Sequence, residues 1–274
     1  MIAEAARSSR RVSWGAFRGL LLRDLTSLDK QLGAFIPGML MQPLLFVFVL
    51  TYLFPMIGQS VGGANTYAAA RFATLVMAGA VAQVIMLQGI FRVAVPMARE
   101  LDVTHEMDDQ VMAPAPLWVI AAEKVVFGAL LTLFSALIVF PVAAFVPATP
   151  VYLRVNWPVL ATLGPLAALT AAAFGLAFAT LFRPRSVLLL SGAVSLPIGF
   201  GGASLYTWSS LDAIPWLKYA VLVNPLVYMS EGFRAALTTG VPHMPLPAVY
   251  GALVGFCSVF LILGVRGFKK RLLV

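Results

Sequence analysis

The run Phe72–Phe91, with the sequence FATLVMAGAVAQVIMLQGIF, contains no Asp, Glu, Lys or Arg. A helix of roughly 20 apolar residues is long enough to cross the hydrocarbon core of a bilayer. Five further runs lack the same four residue types: Gln31–Ala70, Val125–Leu153, Val155–Phe182, Ser186–Leu211 and Ala235–Val265. Because these runs do not alternate apolar and polar residues with a period of two, they predict a helical bundle rather than a barrel.

The composition of the chain agrees with this class. Hydrophobic residues make up 61% of the 274 residues and charged residues 11%, whereas a soluble domain carries roughly 25% charged residues. We therefore expect an all-α membrane protein with six transmembrane helices, at about 34–57, 70–92, 118–146, 158–182, 186–206 and 246–266. The expected division is a cytoplasmic N-terminal segment 1–33, a transmembrane domain 34–266 and a basic cytoplasmic tail 267–274.

Basic residues are concentrated before the first run, in two connections and at the end of the chain. The two terminal groups are Arg7, Arg10, Arg11, Arg18, Arg23 and Lys30, and Arg266, Lys269, Lys270 and Arg271. Lys and Arg accumulate on cytoplasmic segments, so both termini are expected inside, as an even number of spans requires. The net charge of +8 is then a mark of membrane topology and lipid contact, and no nucleic-acid partner is expected.

An amphipathic segment precedes the first span. Its large apolar residues recur on one narrow helical face: Trp14, Phe17, Leu21, Leu25 and Leu28. Arg23, Thr26 and Lys30 point away from that face. The pattern is typical of a helix that lies in the cytoplasmic membrane interface. A helix packed on a partner protein is the alternative.

The stretch 96–116 is a polar island between the second and third spans. It contains the carboxylates Glu100, Asp102, Glu106, Asp108 and Asp109. Asp102, Glu106 and Asp109 share one helical face, and Pro96 and the Ala113–Pro116 stretch bracket the segment. We predict a short cytoplasmic helix, starting at Pro96, that docks on a partner; a solvated loop is the alternative.

The connection at about 204–245 is long and only partly polar. Asn224-Pro225 interrupts its apolar part, and Pro197 with nearby glycines loosens the end of the fifth span. Short re-entrant or surface helices on the outer face are predicted here. Glu231 and Arg234, spaced i and i+3, suit a structural ion pair, with a substrate contact as the alternative.

The sequence lacks the motifs for ATP binding, metal binding, catalysis and ion coupling. There is no Gly-x-x-x-x-Gly-Lys-Ser/Thr phosphate loop, and His105 and His243 lie in loops on opposite sides of the expected topology, so neither a catalytic site nor a metal site is predicted. The single cysteine, Cys257, has no partner within the chain. The predicted midplanes carry no ionisable group, which argues against a proton- or sodium-coupled carrier. Any transport would draw its energy from another chain.

Two sequences resemble the ABC-2 class of ABC exporter permeases. Asn224-Pro225-Leu226-Val-Tyr228-Met-Ser-Glu231-Gly-Phe-Arg234 is similar to that family's Asn-Pro-Leu-x-Tyr-x-x-Glu-x-x-Arg motif. Arg99-Glu100 followed by Glu106, then Met112-Ala-Pro114 and Glu123-Lys124, resembles its Arg-Glu…Gly-Thr-Leu-Glu…Ala-Pro…Gly-Lys pattern. Thr104-His105 replaces the family's usual pair of small residues, and Glu123 stands where Gly is common.

The resemblance implies a permease subunit without its own ATPase site, which pairs with a second permease chain, identical or not. Separate ATP-binding subunits would hold ATP and Mg. By position, the coupling residues would be Arg99, Glu100, Asp102, Glu106 and Asp109, and the outer-face motif Asn224, Pro225, Glu231 and Arg234.

The resemblance further implies export through a bacterial cytoplasmic membrane. The substrate is expected to be an amphiphile, either a drug or a lipid, because aromatic residues recur along the spans: Phe46, Phe48, Tyr52, Phe54, Phe134, Phe174 and Phe178. A lipid-linked glycan is the alternative within the family, with Trp157, Trp208 and Trp216 along its path. A membrane-embedded enzyme acting on lipid, with His105 or the acidic island as acid–base, is the alternative from another class.

Overall fold

The computed structural model of the chain describes residues 14–26, 41, 44–57, 66–102, 116–139, 141, 151 and 153–272, without the side chains of 55, 66–69, 102 and 272. All regular structure in these ranges is helical. The helices are α1 (14–26), α2 (44–56), α3 (Thr66–Asp102), α4 (Leu117–Leu137), α5 (Trp157–Leu181), α6 (Pro184–Gly201), α7 (Pro215–Ala220), α8 (Pro225–Leu237) and α9 (Leu246–Leu272). Single 3₁₀ segments, Trp208–Ala213 and Val221–Val223, flank α7.

Four of these helices are long and apolar enough to cross a membrane: Ala70–Leu101, Leu117–Leu137, Trp157–Leu181 and Leu246–Arg271. They confirm a helical, multi-pass membrane protein. The predicted first span is described only in part, as α2, which contains a π-helical stretch at Val49–Leu53. The predicted fifth span corresponds to the 18-residue α6. The six-span layout therefore stays a prediction.

Helix α5 is the centre of the bundle, since it packs against α3, α4 and α9. Small residues bring α3 and α5 together: a Cβ on Gly89 would lie 2.4 Å from that of Ala171, and one on Gly175 would lie 2.6 Å from the Gly89 carbonyl oxygen. Such close backbone approach is typical of helix packing in membranes. The hydrophobic effect does not drive helices together there, and small residues allow the close van der Waals packing that does. Helix α3 is the most enclosed span, with 83% of its apolar window buried.

The contacts between helices define two ends of the bundle. At the charged end, Glu100 near the end of α3 meets Lys124 near the start of α4, and Arg271 near the end of α9 donates to the Phe182 carbonyl after α5. At the loop end, the backbone amide of Arg154 donates to the Leu237 carbonyl of α8 at 2.8 Å. Helices α3, α5 and α9 therefore run in the same direction, and α4 runs against them.

The predicted start of the cytoplasmic helix differs from the structure. The predicted cytoplasmic helix does not begin at Pro96, because α3 continues through that proline to Asp102. The ring of Pro96 is exposed, whereas Met97 and Ala98 are buried, so packing on the bundle keeps the chain helical despite the lost backbone bond. Helix α4 runs from Leu117 to Leu137, and Val139 and Pro141 beyond it are helical as well. Residues 140 and 142–150 lie outside the described part, so the predicted end of the span near 146 stays a prediction.

The other end points shift by a few residues. The predicted fifth span reaches 206, whereas α6 ends at Gly201 and residues 202–207 are not helical, because the chain turns there toward α8. The last helix continues to Leu272, six residues beyond the predicted end at 266, so most of the basic tail is helical. The predicted interruption at Asn224-Pro225 is confirmed, since a new helix begins at Pro225.

The predicted amphipathic helix is present as α1 over residues 14–26, while Leu28 and Lys30 lie outside the described residues. The rings of Trp14 and Phe17 stack with centroids 5.7 Å apart. Leu20 packs against the core of the bundle. Trp14, Leu22 and Leu25 are exposed, Trp14 by 62%, so the bundle leaves a largely apolar surface of α1 uncovered.

Candidate functional site

Lys124 ties three helices together at the charged end. Its ammonium Nζ donates to Asp24 Oδ2 of α1 at 3.0 Å and to Glu100 Oε1 of α3 at 2.9 Å. The Lys124 side chain is only 9% exposed. We call Asp24, Glu100, Glu123 and Lys124 the junction. Removing one partner of a pair with so little solvent is costly, because it leaves an uncompensated buried charge.

Glu123 is the least satisfied member of the junction. It is 0% exposed, and within the described part of the chain neither of its carboxylate oxygens has a hydrogen-bond partner. Glu100 Oε2 is also buried without a partner there. Burying a carboxylate without donors costs several kcal/mol, which is why such groups are rarely left charged.

The structure separates the residues predicted for coupling. Arg99 is exposed on the last turn of α3, and Glu100 turns inward to Lys124. Asp102 ends the helix, and its side chain is not described; Glu106 and Asp109 lie outside the described residues. A docking role for the last three stays a prediction, whereas Glu100 serves a contact inside the chain in this structure.

Three junction residues, Asp24, Glu123 and Lys124, were not among the predicted site residues, because the sequence does not show how they pair. Asp24 is one carboxylate on a mostly basic segment, and its partner lies a hundred positions away. Glu123 and Lys124 did carry a signal, because they lie inside the predicted third span, 118–146. Ionisable residues within a span are costly and mark a function or a specific pairing.

At the loop end, the residues of the predicted outer-face motif bind neighbouring segments to each other. We call Asn224, Pro225, Glu231 and Arg234 the clasp. The Asn224 side chain caps α8 by accepting from the Leu226 amide at 3.0 Å and donates to the Ile198 carbonyl of α6 at 2.8 Å. Pro225 follows as the first residue of α8, where its missing N–H costs nothing. This dipeptide therefore starts one helix and binds the end of another.

The predicted pairing of Glu231 with Arg234 is confirmed. Arg234 Nη1 donates to Glu231 Oε1 at 2.7 Å, and both side chains are almost fully enclosed, 1% and 0% exposed. The backbone amides of Trp208 and Met244 donate to Glu231 Oε1 and Oε2 at 2.8 and 2.9 Å. Burial lowers the pKa of the Arg234 guanidinium, and the Glu231 carboxylate opposes that fall. The carboxylate thus anchors both loops that flank α8.

Arg234 also holds the turn between α6 and the 3₁₀ segment. Its Nη2 donates to the carbonyls of Ala203 and Ser204, the latter at 3.3 Å. Ala203 has a φ of +52°, a left-handed conformation that costs a non-Gly residue about 1 kcal/mol or more. The Ser204 carbonyl lies directly on Gly79 of α3, where a Cβ would come within 2.0 Å of it.

The aromatic residues predicted to line a pathway do not form one group. Phe178 is 5% exposed in the core, whereas Phe134 is 49% exposed on α4. A continuous set of ring contacts instead joins α8, α9 and α5, through Tyr228, Phe256, Phe260, Phe174, Phe178 and Phe182. Trp157 and Trp216 are about 70% exposed, as expected for interfacial anchors.

The remaining chemical groups do not assemble into a site among the described residues. No group of three or more His, Cys, Asp and Glu there is arranged to hold a metal ion. The Nδ1 atom of His243 lies 2.9 Å from the carbonyl oxygen of Met244. His105 lies outside the described residues. Cys257 is half-buried on α9 and free.

The comparison with protein families decides the class. The model of the family described as ABC-2 family transporter protein matches residues 59–266, which is more than half of the chain. This protein belongs to the ABC-2 transporter family. It is therefore a multi-pass membrane component of an ABC transporter. A search of curated proteins found no match.

Proposed function

We propose that this ABC-2 protein is the permease subunit of an ATP-driven exporter for an amphiphilic drug or lipid. The observation that carries the proposal is the family match over residues 59–266 on a chain whose sequence has no ATP-binding loop. ATP and Mg would then be bound by a separate ATP-binding subunit. The charged end would face the cytoplasm of a bacterial cell, since basic residues cluster there.

The partner subunit would dock on the segment that follows Glu100. Helix α3 supports this because it runs as one helix from the loop end to Asp102. A displacement of its charged end would therefore be transmitted along the helix to the loop end. The junction supports it as well, because Glu100 on that helix is bonded through Lys124 to α1. Acidic groups such as Asp102, Glu106 and Asp109 would fix the register of the partner more than its affinity.

Several hydroxyls inside the spans are satisfied within their own helix. Thr74 and Ser135 each donate a hydroxyl to the carbonyl four residues earlier, at 2.8 Å, and Thr132 makes the same kind of bond. Such side chains need no further partner in an apolar environment. The proposal of an ATP-driven transporter rests on the family match.

The proposal is tested by purifying the tagged chain from its native membranes in mild detergent and identifying what copurifies. We expect a stoichiometric ATP-binding subunit, together with a second permease chain, identical or not. The variant Asp102→Lys/Glu106→Lys/Asp109→Lys should lose the ATP-binding subunit and keep its thermal stability. The matched control, Asp212→Lys, reverses an exposed carboxylate at the loop end and should keep it.

Transport is measured next in inside-out vesicles that hold the complete complex. ATP-dependent accumulation of a fluorescent amphiphile or lipid analogue is expected. Recovery of the chain without any ATP-binding subunit, from membranes where a control transporter stays intact, contradicts the proposal. A lipid-modifying activity that His105→Ala abolishes would then point to a membrane enzyme.

A further inference from the structure

The buried carboxyl of Glu123 lacks the groups that would stabilise its charge. Glu123 is 0% exposed, and its neighbours Val119, Ile120 and Val125 on α4 are also buried. Neither oxygen has a hydrogen-bond partner among the described residues. An ionised carboxylate in such surroundings pays a desolvation cost that a protonated carboxyl largely avoids.

The adjacent cation offsets that cost only in part, because it is shared with two other carboxylates. Lys124 Nζ is bonded to Asp24 and Glu100. Among the described residues, the charged groups that act on Glu123 are Lys124 on its own helix, Asp24 and Arg23 on α1, and Glu100 on α3. Two cations and two carboxylates sum to zero, so an ionised Glu123 would leave this buried region with an unbalanced negative charge.

We propose that Glu123 is a proton-binding site that is occupied while α1 is docked on the bundle. The proton rests on a carboxyl oxygen of Glu123, and it is released to water when α1 leaves and the site is hydrated. Proton occupancy and docking of α1 are therefore linked. The bond from Lys124 to Asp24 and the packing of Leu20 hold α1 in place. Because these contacts are few, the free energy of binding one proton is enough to shift the docking equilibrium of α1.

The direction of the linkage follows from which form binds the proton. The docked form buries Glu123 and holds the proton, whereas the undocked form exposes the carboxyl to water. Docking is thus favoured at low pH and weakens as pH rises, by at most about tenfold per pH unit for one proton. Such a site would let the pH on the side of the charged end bias the position of α1. It rests on the fold alone and needs no transported substrate.

The docking equilibrium is measured by electron spin resonance on the full chain in lipid nanodiscs, with any copurifying subunit kept. Spin labels replace Leu22 on α1 and Lys269 on α9, both exposed, in a Cys257→Ala background. Between about pH 5 and about pH 9, above the roughly pH 4 at which an exposed Glu titrates, we expect a longer label separation to appear as pH rises. Glu123→Gln should keep the short separation throughout, and the control Asp212→Asn should behave as the parent.

A second measurement assigns the proton to its residue. Dicyclohexylcarbodiimide, which enters membranes and reacts with protonated carboxyls, should modify Glu123, with a yield that falls as pH rises. Mass spectrometry of the peptide reads the adduct, which Glu123→Gln should lack. The proposal is overturned if the label separation does not change with pH, if Glu123→Gln responds to pH as the parent does, or if Glu123 stays unmodified across the range. A missing ATP-binding subunit would contradict the proposed function and leave these readouts intact.

Discussion

Two carboxyl groups are buried at opposite ends of this bundle, and they differ in the number of hydrogen-bond donors around them. Glu231, 1% exposed, receives hydrogen bonds from Arg234 and from the amides of Trp208 and Met244. Glu123, 0% exposed, receives none among the described residues. Equal burial therefore does not mean equal function: the number of donors decides whether a buried carboxylate is a fixed anchor or a group that changes its charge.

The difference follows from what each end of the bundle does. Glu231 joins two loops that must stay in place beside α8, and it is charged and paired with Arg234. Glu123 lies next to Lys124, which is shared between two other helices. Three donors hold the Glu231 carboxylate in place, although Arg234 Nε is buried without a partner among the described residues. A buried carboxyl without donors is costly to keep charged.

Removing the cation of the clasp should have the largest effect. Arg234→Met leaves the Glu231 carboxylate buried without its ion pair and frees the carbonyls of Ala203 and Ser204. We expect a loss of about 3–5 kcal/mol in the free energy of unfolding, seen as a lower midpoint of thermal unfolding in detergent. Asp212→Asn, which breaks an exposed pair with Lys218, is the control and should cost less than about 1 kcal/mol. Similar effects from both variants would show that the clasp is not a stabilising cluster.

The same substitution at both carboxylates sharpens the contrast. Glu231→Gln replaces an acceptor of three donors by an amide that repels one of them, and should cost about 2–3 kcal/mol. Glu123→Gln replaces a carboxyl that has no donor among the described residues by a neutral amide, and should be neutral or slightly stabilising near neutral pH. Both variants are compared by thermal unfolding at one pH. A larger loss at Glu123 would contradict the difference between the two ends.

The link from Lys124 to α1 should depend on charge and length. Lys124→Met leaves Asp24 and Glu100 close together without a cation, and should weaken docking of α1 by about 2 kcal/mol, since the junction is mostly buried. Lys124→Arg keeps the charge and should retain most of the docking. Hydrogen exchange over residues 14–26 measures this, and equal exchange in both variants would mean that Lys124 does not hold α1.

A pair of glycines gives the smallest effect and tests the packing at the clasp. Gly79→Ala would bring a Cβ within 2.0 Å of the Ser204 carbonyl, and should cost about 1–3 kcal/mol through overpacking. Gly251→Ala, on the open face of α9, meets nothing within 4 Å and should stabilise its helix by roughly 0.5–1 kcal/mol. Thermal unfolding of both variants should therefore shift in opposite directions.

Local patterns predicted much of the fold. The charge-free runs located α5 to within one residue at each end, because a bilayer demands about 20 apolar residues whatever the neighbours are. The spacing of Glu231 and Arg234 predicted their pairing, since residues three apart on a helix are neighbours. Pro96 misled the prediction, because its effect on α3 depends on how neighbouring helices support the backbone.

The sequence by itself determined that this protein lies in a membrane, where its fourth span runs and that Asn224-Pro225 interrupts the last connection, since these follow from local composition and spacing. Only the tertiary structure decided that Lys124 bonds Asp24 rather than Glu123, and that Glu123 is enclosed without a donor among the described residues. The physical reason is that a charge in an apolar interior depends on every group within a few ångströms, and those groups come from helices far apart in the chain.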